Sequence, residues 1–430
     1  MDNYKVLVFP CGTEIALELW RALKDIRFIE LYGASGAEDH GRYVFSRYFG
    51  GVPFVTDPAF VDHLNTICRE NDIDYIFPAH DDVQLALVKN QSHLCAKVVA
   101  PCPETVELCR HKALTYRHLE GEDYVPRVYS SPEEVERFPV IVKPDAGQGS
   151  QGVVKLSDLT SLTATLAQRD KPQVIVEYLS GEEYTVDCFT DRHGRLLYCA
   201  FRERLRIRNG ISVCSRLMPP DPRVTQIAHS INKRMKHRGV WFFQLKKNDA
   251  GNYRLLEVAT RVAGTMCVER IAGVNLPLLT LFDMMDMDVR VEPQLSTVEV
   301  ERALTNRYTA YPDFDEVYID FDDTLVVHGR VNLSAISLIY QCVDRGIPVH
   351  LLTRHEGDLD SALTAHRISR ALFDSVVHVP AGAKKSAYIT PSPRAVFIDD
   401  SFAERADICA AFGIKTFGVD SIEGLIDWRS

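Results

Sequence analysis

The chain reads PVIVKPDAGQGSQGV from Pro139 to Val153. An apolar run that is typical of a buried strand ends in Lys143, and a glycine-rich loop follows at once. Glycines let backbone N–H groups come close to phosphate oxygens, and the lysine places a positive charge beside them. The loop has neither the Gly-Lys-Ser/Thr of a P-loop nor the helix that opens a Rossmann dinucleotide site. The stretch predicts a lid over phosphates, with an ordinary glycine-rich hairpin as the alternative.

Length and composition set the broad class. The 430 residues allow two or three domains, and 46% apolar with 25% charged residues is typical of a soluble globular protein. The net charge of −10 gives no general attraction to nucleic acid or to an anionic membrane. We expect no signal peptide and no membrane span. Eleven scattered cysteines without a CxxC pair indicate reduced thiols and a cytoplasmic location.

The first hundred residues repeat a strand–turn–helix pattern. Residues 5–9 and 75–78 are short apolar runs, and each is followed by a turn and a helical pattern. This alternation predicts an α/β domain with a mostly parallel sheet. Because such sheets bind ligands at the carboxyl ends of their strands, the turn residues are expected to face a crevice, with helix capping as the alternative. These residues are Gly12, Thr13, His80 and Asp81.

Three further patterns lie in the middle of the chain. A helix is predicted from Pro103 to Leu119. Residues 174–179 form an apolar strand, after which backbone groups can contact adenine and a carboxylate can accept from ribose hydroxyls. The run from Ala200 to Arg208 has an arginine at every second position. On a strand these arginines share one face, which either binds anionic groups or pairs with Glu and Asp.

A hairpin is predicted over 240–258. Its period of two places Gln244 and Glu257 on one side, near Arg261. Oxygen ligands beside a phosphate site suit Mg²⁺, which needs only one or two carboxylates. A structural Glu–Arg pair is the alternative.

Taken together, these residues resemble the ATP-grasp superfamily in order and spacing, and most of all its carbamoyl-phosphate-synthase-like carboxylate–amine ligases. The resemblance covers residues 1–290, and the segments 6–14 and 76–82 resemble the pre-ATP-grasp domain of that family. It implies ATP and Mg²⁺, or Mn²⁺, as cofactors. The implied ATP-binding residues are Lys112, Lys143, Gly147, Gly149, Ser150, Gln151, Gly152, Glu177, Tyr178, Leu179 and Glu183. The implied metal ligands are Gln244 and Glu257, Arg261 steadies the transferred phosphate, and Arg202, Arg204 and Arg206 orient an acidic acceptor.

Two positions depart from the family pattern. The family usually reads Glu-x-Asn-x-Arg where this chain has Ala259 between Glu257 and Arg261. An alanine cannot bind a metal, so this departure affects either the second Mg²⁺ site of the family or its usual ligase activity. The residue before Lys112 is His111 instead of an acidic residue.

The C-terminal part carries a second set of motifs. Residues 316–325 read EVYIDFDDTL, an apolar strand that ends in Asp-x-Asp-x-Thr. Two carboxylates at this spacing can serve as nucleophile and general acid and can gather Mg²⁺. Polar residues also end two later strands, and a lysine pair lies between them. Any one could be a helix cap. The set comprises Asp320, Asp322, Thr353, Lys384 or Lys385, Asp399 and Asp400.

This set resembles the haloacid-dehalogenase (HAD) phosphohydrolases over residues 315–430. The resemblance implies that Asp320 forms an aspartyl-phosphate and that Asp322 acts as general acid and base. Thr353 and Lys385 (or Lys384) would hold the phosphoryl group. Mg²⁺ would be bound by Asp320, the Asp322 carbonyl and Asp399 or Asp400. The two segments in which a cap domain could be inserted are too short to form one. An uncapped site suits a bulky substrate or a substrate that is presented by a partner domain.

The predicted fold is α/β throughout. The domains are a pre-ATP-grasp Rossmann-like domain (1–102), an ATP-grasp domain (103–290), a connector (291–313, with the boundary near Pro312) and a capless HAD Rossmann-like domain (314–430).

The predicted function is a bifunctional enzyme, a carboxylate–amine or carboxylate–thiol ligase joined to a phosphatase. Its partners are small carboxylates, amines and a phosphorylated small molecule, and the family suggests a homodimer. Two alternatives are a nucleotide-binding domain without ligase activity that controls the phosphatase, and a ligase with a structural HAD domain.

Overall fold

The computed structural model describes residues 3–147, 149–308 and 313–429. Gln148 of the predicted lid and the predicted boundary at Pro312 lie outside these ranges. The chain forms two compact units, Met1–Thr305 and Asn306–Ser430. Within the described ranges, no helix is long and apolar enough to cross a membrane.

The first unit begins with a parallel five-stranded sheet in the order β3-β2-β1-β4-β5. Thr13 and His80 cap the helices that follow β1 and β4, since their side chains accept from the backbone N–H groups of Ala16 and Asp82. The strands are β1 (Tyr4–Phe9), β2 (Ile29–Ala34), β3 (Tyr48–Phe49), β4 (Tyr75–Pro78) and β5 (Lys97–Val98), and the helices are α1 (Glu14–Leu23), α2 (Phe60–Asn71) and α3 (Asp81–Lys89).

A small antiparallel sheet in the order β6-β9-β7-β8 follows. The helix predicted from Pro103 to Leu119 is two helices, because His111 leaves the helical conformation at φ −105° and ψ 109°. Lys112 therefore begins a helix. The elements are α4 (Pro103–Arg110), α5 (Lys112–His118), β6 (Val128–Tyr129), β7 (Val140–Pro144), β8 (Val154–Leu156), α6 (Leu159–Ala167) and β9 (Gln173–Glu177).

The largest sheet is antiparallel, with the order β14-β13-β10-β11-β12-β15. Its elements are β10 (Glu183–Thr190), β11 (Leu196–Arg208), β12 (Ile211–Leu217), α7 (Pro222–Met235), β13 (Gly239–Lys247), β14 (Tyr253–Ala259), α8 (Cys267–Ile271), α9 (Leu276–Met284) and β15 (Glu299–Glu301).

Two features of the first unit differ from the predicted domain plan. Leu19 and Phe77 of the N-terminal part share one hydrophobic core with Phe242 and Leu281, so the predicted boundary at 102 does not separate two compact units. Part of the predicted connector is strand β15, which pairs with β12. An isolated three-residue strand with few apolar residues depends on this long-range pairing, which local sequence does not reveal.

The second unit is a parallel five-stranded sheet in the order β20-β19-β16-β21-β22, with its own core built around Val317, Ile319 and Leu351. The elements are β16 (Glu316–Ile319), the short hairpin β17 (Val326–Val327) and β18 (Arg330–Val331), α10 (Leu333–Asp344), β19 (Val349–Thr353), α11 (Leu359–Ala365), β20 (Ser375–His378), β21 (Ala395–Ile398), α12 (Phe402–Phe412) and β22 (Lys415–Phe417).

Candidate functional site

The first unit contains a cavity of about 600 Å³. Of the predicted ATP-binding residues, Gly152 is not part of its wall, and its carbonyl accepts from Arg169 at 3.0 Å. The predicted residues that line the cavity are Lys112, Lys143, Gly147, Gly149, Ser150, Gln151, Glu177, Tyr178, Leu179, Glu183, Arg202, Arg204, Gln244, Glu257 and Arg261, together with Thr13, His80 and Asp81. Gly12 lies instead against the Asp39 side chain.

Two lysines lie in this cavity. Lys143 is buried at the end of β7, and its Nζ donates to the hydroxyl of Tyr116 at 2.7 Å and to the carbonyl of Leu256 at 3.1 Å. Lys112 Nζ donates to the carbonyl of Gly147 at 3.3 Å and lies 3.8 Å from Glu257 Oε2. Burial and, next, the charge of Lys112 lower the pKa of Lys143 to about 7. Two cations held so close favour a polyanionic ligand.

The break before Lys112 has a local cause. Asp145, which follows β7, accepts from the backbone N–H of Ala113 at 2.7 Å, and its other oxygen lies 2.7 Å from His111 Nδ1. The Asp145 carbonyl accepts from the N–H of Lys112 at 3.1 Å. One residue at the start of the lid thus anchors the helix that carries the first lysine, and His111 contributes a contact that an acidic residue would oppose.

The glycine-rich lid packs against the turn between β11 and β12. Gly210 in this turn has φ +76°, and a Cβ there would lie 2.2 Å from the carbonyl oxygen of Gly149. Arg204 Nη2 donates to the Gly210 carbonyl at 2.9 Å. The lid and this turn therefore meet with no room for a side chain at position 210.

The predicted adenine and ribose contacts also line the cavity. Glu177 Oε1 accepts from the backbone N–H of Arg127 at 2.9 Å, and Lys155 lies 3.8 Å over the Tyr178 ring. Glu183 pairs with Arg204 and lies 3.7 Å from Lys246 Nζ.

The predicted metal ligands lie directly opposite each other. Gln244 of β13 pairs with Glu257 of β14 in register, so both side chains leave the sheet on one face, as the period of two predicts. Two oxygen donors beside two lysines fit one Mg²⁺ that keeps its remaining waters. Ala259 also lines the cavity and offers no ligand.

Arg261 is held by the first residue of α3, in the N-terminal part of the unit. Its Nε and Nη2 donate to the two oxygens of Asp81 at 2.7 and 2.8 Å. Burial alone would raise the pKa of the Asp81 carboxyl, but the Arg261 guanidinium lowers the pKa below its usual value. Arg261 is thus fixed in position as half of a bidentate pair.

The arginines of β11 do not form one anion-binding face. Arg202 is fully buried and donates to Asp187 and Thr265, Arg204 pairs with Glu183, and Arg206 pairs with Glu301. Arg206 lies outside the cavity wall, because the pairing of β11 with β12 shifts register between Glu203 and Arg206. A bulge breaks the strict alternation that the sequence suggested.

The second unit brings its predicted residues together at the carboxyl ends of its strands. Lys385 Nζ is buried and donates to Asp320 Oδ1 at 2.7 Å and Asp399 Oδ2 at 2.6 Å, whereas Lys384 is exposed and pairs with Asp407. Burial and, more weakly, Asp399 raise the pKa of Asp320 to about 6, although Lys385 opposes this. Oxygens of Asp320, Asp399 and Asp400 lie within 4.8 Å of one another. An ammonium group already bridges two of them, so this cluster fits a cation.

Two further predicted residues flank this cluster. Both carboxylate oxygens of Asp322 lie 3.0 Å from His355 Nδ1, and the Asp322 carboxylate is not part of the three-carboxylate group. Thr353 is buried, and its hydroxyl accepts from the His355 N–H at 3.1 Å. The backbone N–H of Asp400 donates to the hydroxyl of Thr324 at 3.0 Å.

Comparisons with known proteins bear on the first unit. The family described as "ATP-grasp in the biosynthetic pathway with Ter operon" matches residues 169–305. The search of curated proteins found no match. Biotin carboxylase from Campylobacter jejuni, solved with β,γ-ATP, has a TM-score of 0.56 at 17% identity over 68% of this chain and 73% of that one.

Two other solved structures are similar to this chain. The biotin carboxylase domain of 2-oxoglutarate carboxylase from Hydrogenobacter thermophilus, with MgADP and bicarbonate, gives a TM-score of 0.57 at 16% identity over 68% and 72% of the two chains. L-amino acid ligase from Bacillus licheniformis has a TM-score of 0.53 at 17% identity, over 65% of this chain and 74% of that one. The first unit has the ATP-grasp fold. At these identities the likeness shows the fold alone.

Three residues in or beside the cavity of the ATP-grasp unit were not predicted as site residues. Tyr116 is four residues after Lys112, which places it one helical turn further on, and this spacing could have flagged it. Asp145 was seen only as part of the lid. Arg302 lies in the predicted connector, and only the pairing of β15 with β12 brings it to the cavity.

Proposed function

We propose that this chain is a bifunctional enzyme whose ATP-grasp unit is an ATP-dependent carboxylate–amine ligase. The observation that carries this proposal is the meeting of Lys112, Lys143, Gln244 and Glu257 in one cavity under a glycine-rich lid. A carboxylate substrate would be phosphorylated by ATP, and an amine, or a thiol, would then attack the acyl-phosphate and release phosphate. The fold shared with an L-amino acid ligase and with biotin carboxylases supports this choice.

Each group in the cavity has a role in this reaction. The two lysines neutralise phosphate oxygens, and the lid would exclude water from the acyl-phosphate. Gln244 and Glu257 would hold Mg²⁺ (or Mn²⁺), which supplies further charge neutralisation at the phosphates. Arg261, fixed by Asp81, presents a cation of set position toward the transferred phosphoryl group.

A coupled ADP-release assay tests the ligase. The protein is incubated with Mg-ATP and a pool of amino acids and small carboxylates. We expect ADP release that requires the pool, is lost in Lys143→Ala and persists in Asp320→Asn. Pool-independent ADP release, or none at all, would contradict the ligase.

We propose that the second unit is a capless HAD-type phosphohydrolase. Asp320 would attack phosphorus, and the leaving alcohol would take a proton from Asp322. Asp322 would then activate the water that cleaves the aspartyl-phosphate. Lys385 and Thr353 would hold the phosphoryl oxygens, while Asp320, Asp399 and Asp400 with the Asp322 carbonyl would hold Mg²⁺. The contacts of Lys385 with two of these carboxylates support this assignment.

The two adjacent lysines provide a matched test of the phosphohydrolase. With p-nitrophenyl phosphate and Mg²⁺, we expect hydrolysis to be lost in Lys385→Met and Asp320→Asn. Lys384→Met should be as active as the wild type, since Lys384 is exposed and bound to Asp407. Equal loss in both lysine variants would argue against the assignment.

Ala259 favours one alternative, a nucleotide-binding unit that regulates the phosphatase without ligase activity. It predicts tight ATP binding without pool-dependent ADP release, and ester hydrolysis that changes when ATP is added. ADP release that depends on the pool would exclude it. A phosphorylated small molecule as the phosphatase substrate and a homodimer are further parts of the proposal.

A further inference from the structure

An ion pair between Glu14 and Arg302 forms part of the cavity wall in the ATP-grasp unit. Glu14 is the first residue of α1, and Arg302 directly follows β15. Arg302 Nη2 donates to Glu14 Oε2, and Nη1 donates to the carbonyl of Ser212 at 3.3 Å. The two partners come from opposite ends of the unit's sequence.

Arg302 has the most exposed side chain of the arginines that line the cavity. The side chains of Arg110, Arg202, Arg204 and Arg261 are between 1% and 10% exposed, and each is paired with a carboxylate. In contrast, the side chains of Arg302 and Glu14 are 21% and 52% exposed. An exposed ion pair contributes little to stability, so another carboxylate can replace Glu14 at low cost.

An incoming anion has access to Arg302, because this residue lines the cavity and its side chain is partly exposed. A Cβ at Gly264 would make an ordinary contact with Arg302 Nη1 at 3.4 Å, so the glycine leaves this side of the guanidinium uncovered. The contacts of Arg302 are also separate from those of the lysines. Lys112 and Lys143 contact Gly147, Glu257, Tyr116 and Leu256, whereas Arg302 contacts Glu14, Ser212 and Val213. This separate set of partners favours an anion at Arg302 other than the phosphates expected at the lysines.

We propose that Arg302 binds a free carboxylate of the amine substrate and that Glu14 is the internal anion that this carboxylate displaces. The inference rests on the proposed ligase function and narrows it to amines that carry a carboxylate, of which α-amino acids are the simplest class. A planar guanidinium binds a carboxylate through two parallel hydrogen bonds, which gives both affinity and orientation. Arg302 and Glu14 then set acceptor specificity without touching ATP.

Binding is measured on the full chain, independently of turnover. Saturation-transfer NMR is recorded with Mg²⁺, adenylyl imidodiphosphate and one of two mixtures. The first contains the proteinogenic amino acids except aspartate and glutamate, and the second contains the carboxyl-free amines that result from their decarboxylation. We expect signals from one or more amino acids and none from the amines. No amino-acid signal, or equal signals from both mixtures, overturns the inference.

Two variants with opposite expected effects separate this role from a structural one. For the strongest amino-acid binder, Arg302→Gln should weaken binding about tenfold or more, whereas Glu14→Gln should strengthen it by about two- to fivefold because the competing anion is gone. Arg290→Gln is the matched control, since Arg290 is exposed and pairs with Glu292. Unchanged nucleotide affinity shows that each variant is folded. Wild-type affinity in Arg302→Gln, or weaker binding in Glu14→Gln, overturns the inference.

The ADP-release assay separates the two proposals when it is run with the pool of small carboxylates and with either mixture as the source of the amine. Amino-acid binding without ADP release would contradict the ligase and leave the binding site standing. ADP release that requires the carboxylate pool and occurs with the carboxyl-free amines as readily as with the amino acids would support the ligase and overturn the role of Arg302.

Discussion

Lys143 is a buried residue whose charge depends on its ligand. Because its pKa is about 7, the Lys143 side chain is uncharged in most molecules of the free protein at pH 8. A bound triphosphate stabilises the ammonium form and raises this pKa, so nucleotide binding at pH 8 should take up nearly one proton. At pH 6 the lysine is already charged and this uptake should vanish. Calorimetry of adenylyl imidodiphosphate binding in buffers of different ionisation enthalpy measures it.

The control for this proton uptake is a second lysine. Lys143→Met should show no uptake at pH 8, while Lys97→Met, at an exposed lysine, should match the wild type. A binding enthalpy that is the same in all buffers for the wild-type protein would show that Lys143 does not change charge.

Tyr116 determines where that ammonium group lies. Its hydroxyl accepts from Lys143 and donates to the carbonyl of Leu256 at 2.6 Å. Tyr116→Phe removes a hydrogen bond to a charged group, which is worth about 1.5 kcal/mol, so nucleotide affinity should fall roughly tenfold. Tyr124→Phe is the matched control, because Tyr124 is equally buried and bonds Ser230 outside the cavity. Equal affinity in the two variants would refute the positioning role.

Among the elements, the turn between β11 and β12 acts as the support for the lid. Gly210→Ala should cost about 1 kcal/mol of stability because φ is positive, and its Cβ should also push the lid away from Gly149. The KM for ATP should therefore rise. Gly194→Ala is a matched control, since Gly194 has φ +78° with nothing within 4 Å of a Cβ. It should lose similar stability and keep its KM. If the KM for ATP rises in both variants, backbone strain at the positive φ explains the rise, and contact with the lid does not.

Elements with a strong local pattern could be predicted from the sequence, and those that depend on distant partners could not. The hairpin of β13 and β14 carries its own period of two, and this placed Gln244 opposite Glu257. The break at His111 depends on Asp145, and strand β15 depends on β12. The bulge that turns Arg206 away from the cavity is likewise a property of the pairing. Local propensity contains no information on such long-range contacts.

Across the whole molecule, the two compact units have separate hydrophobic cores. Phe242 and Leu281 belong to a core within the first unit, and Val317 and Leu351 to one within the second. Because each unit buries its own apolar surface, each can unfold as a cooperative domain. Lys143 serves the candidate site of the first unit, and Lys385 serves that of the second.

Calorimetry of the full chain should therefore show two unfolding transitions. Adenylyl imidodiphosphate with Mg²⁺ should raise the midpoint temperature of one transition, and orthovanadate with Mg²⁺ should raise that of the other. At a hundredfold excess of ligand over its Kd, each shift corresponds to about 2.7 kcal/mol of added stability. Lys143→Ala should abolish only the first shift and Asp320→Asn only the second. A single transition that responds to both ligands would show that the two sites are coupled through folding. The regulatory alternative would then gain a physical route, because ATP binding would stabilise the phosphatase unit as well.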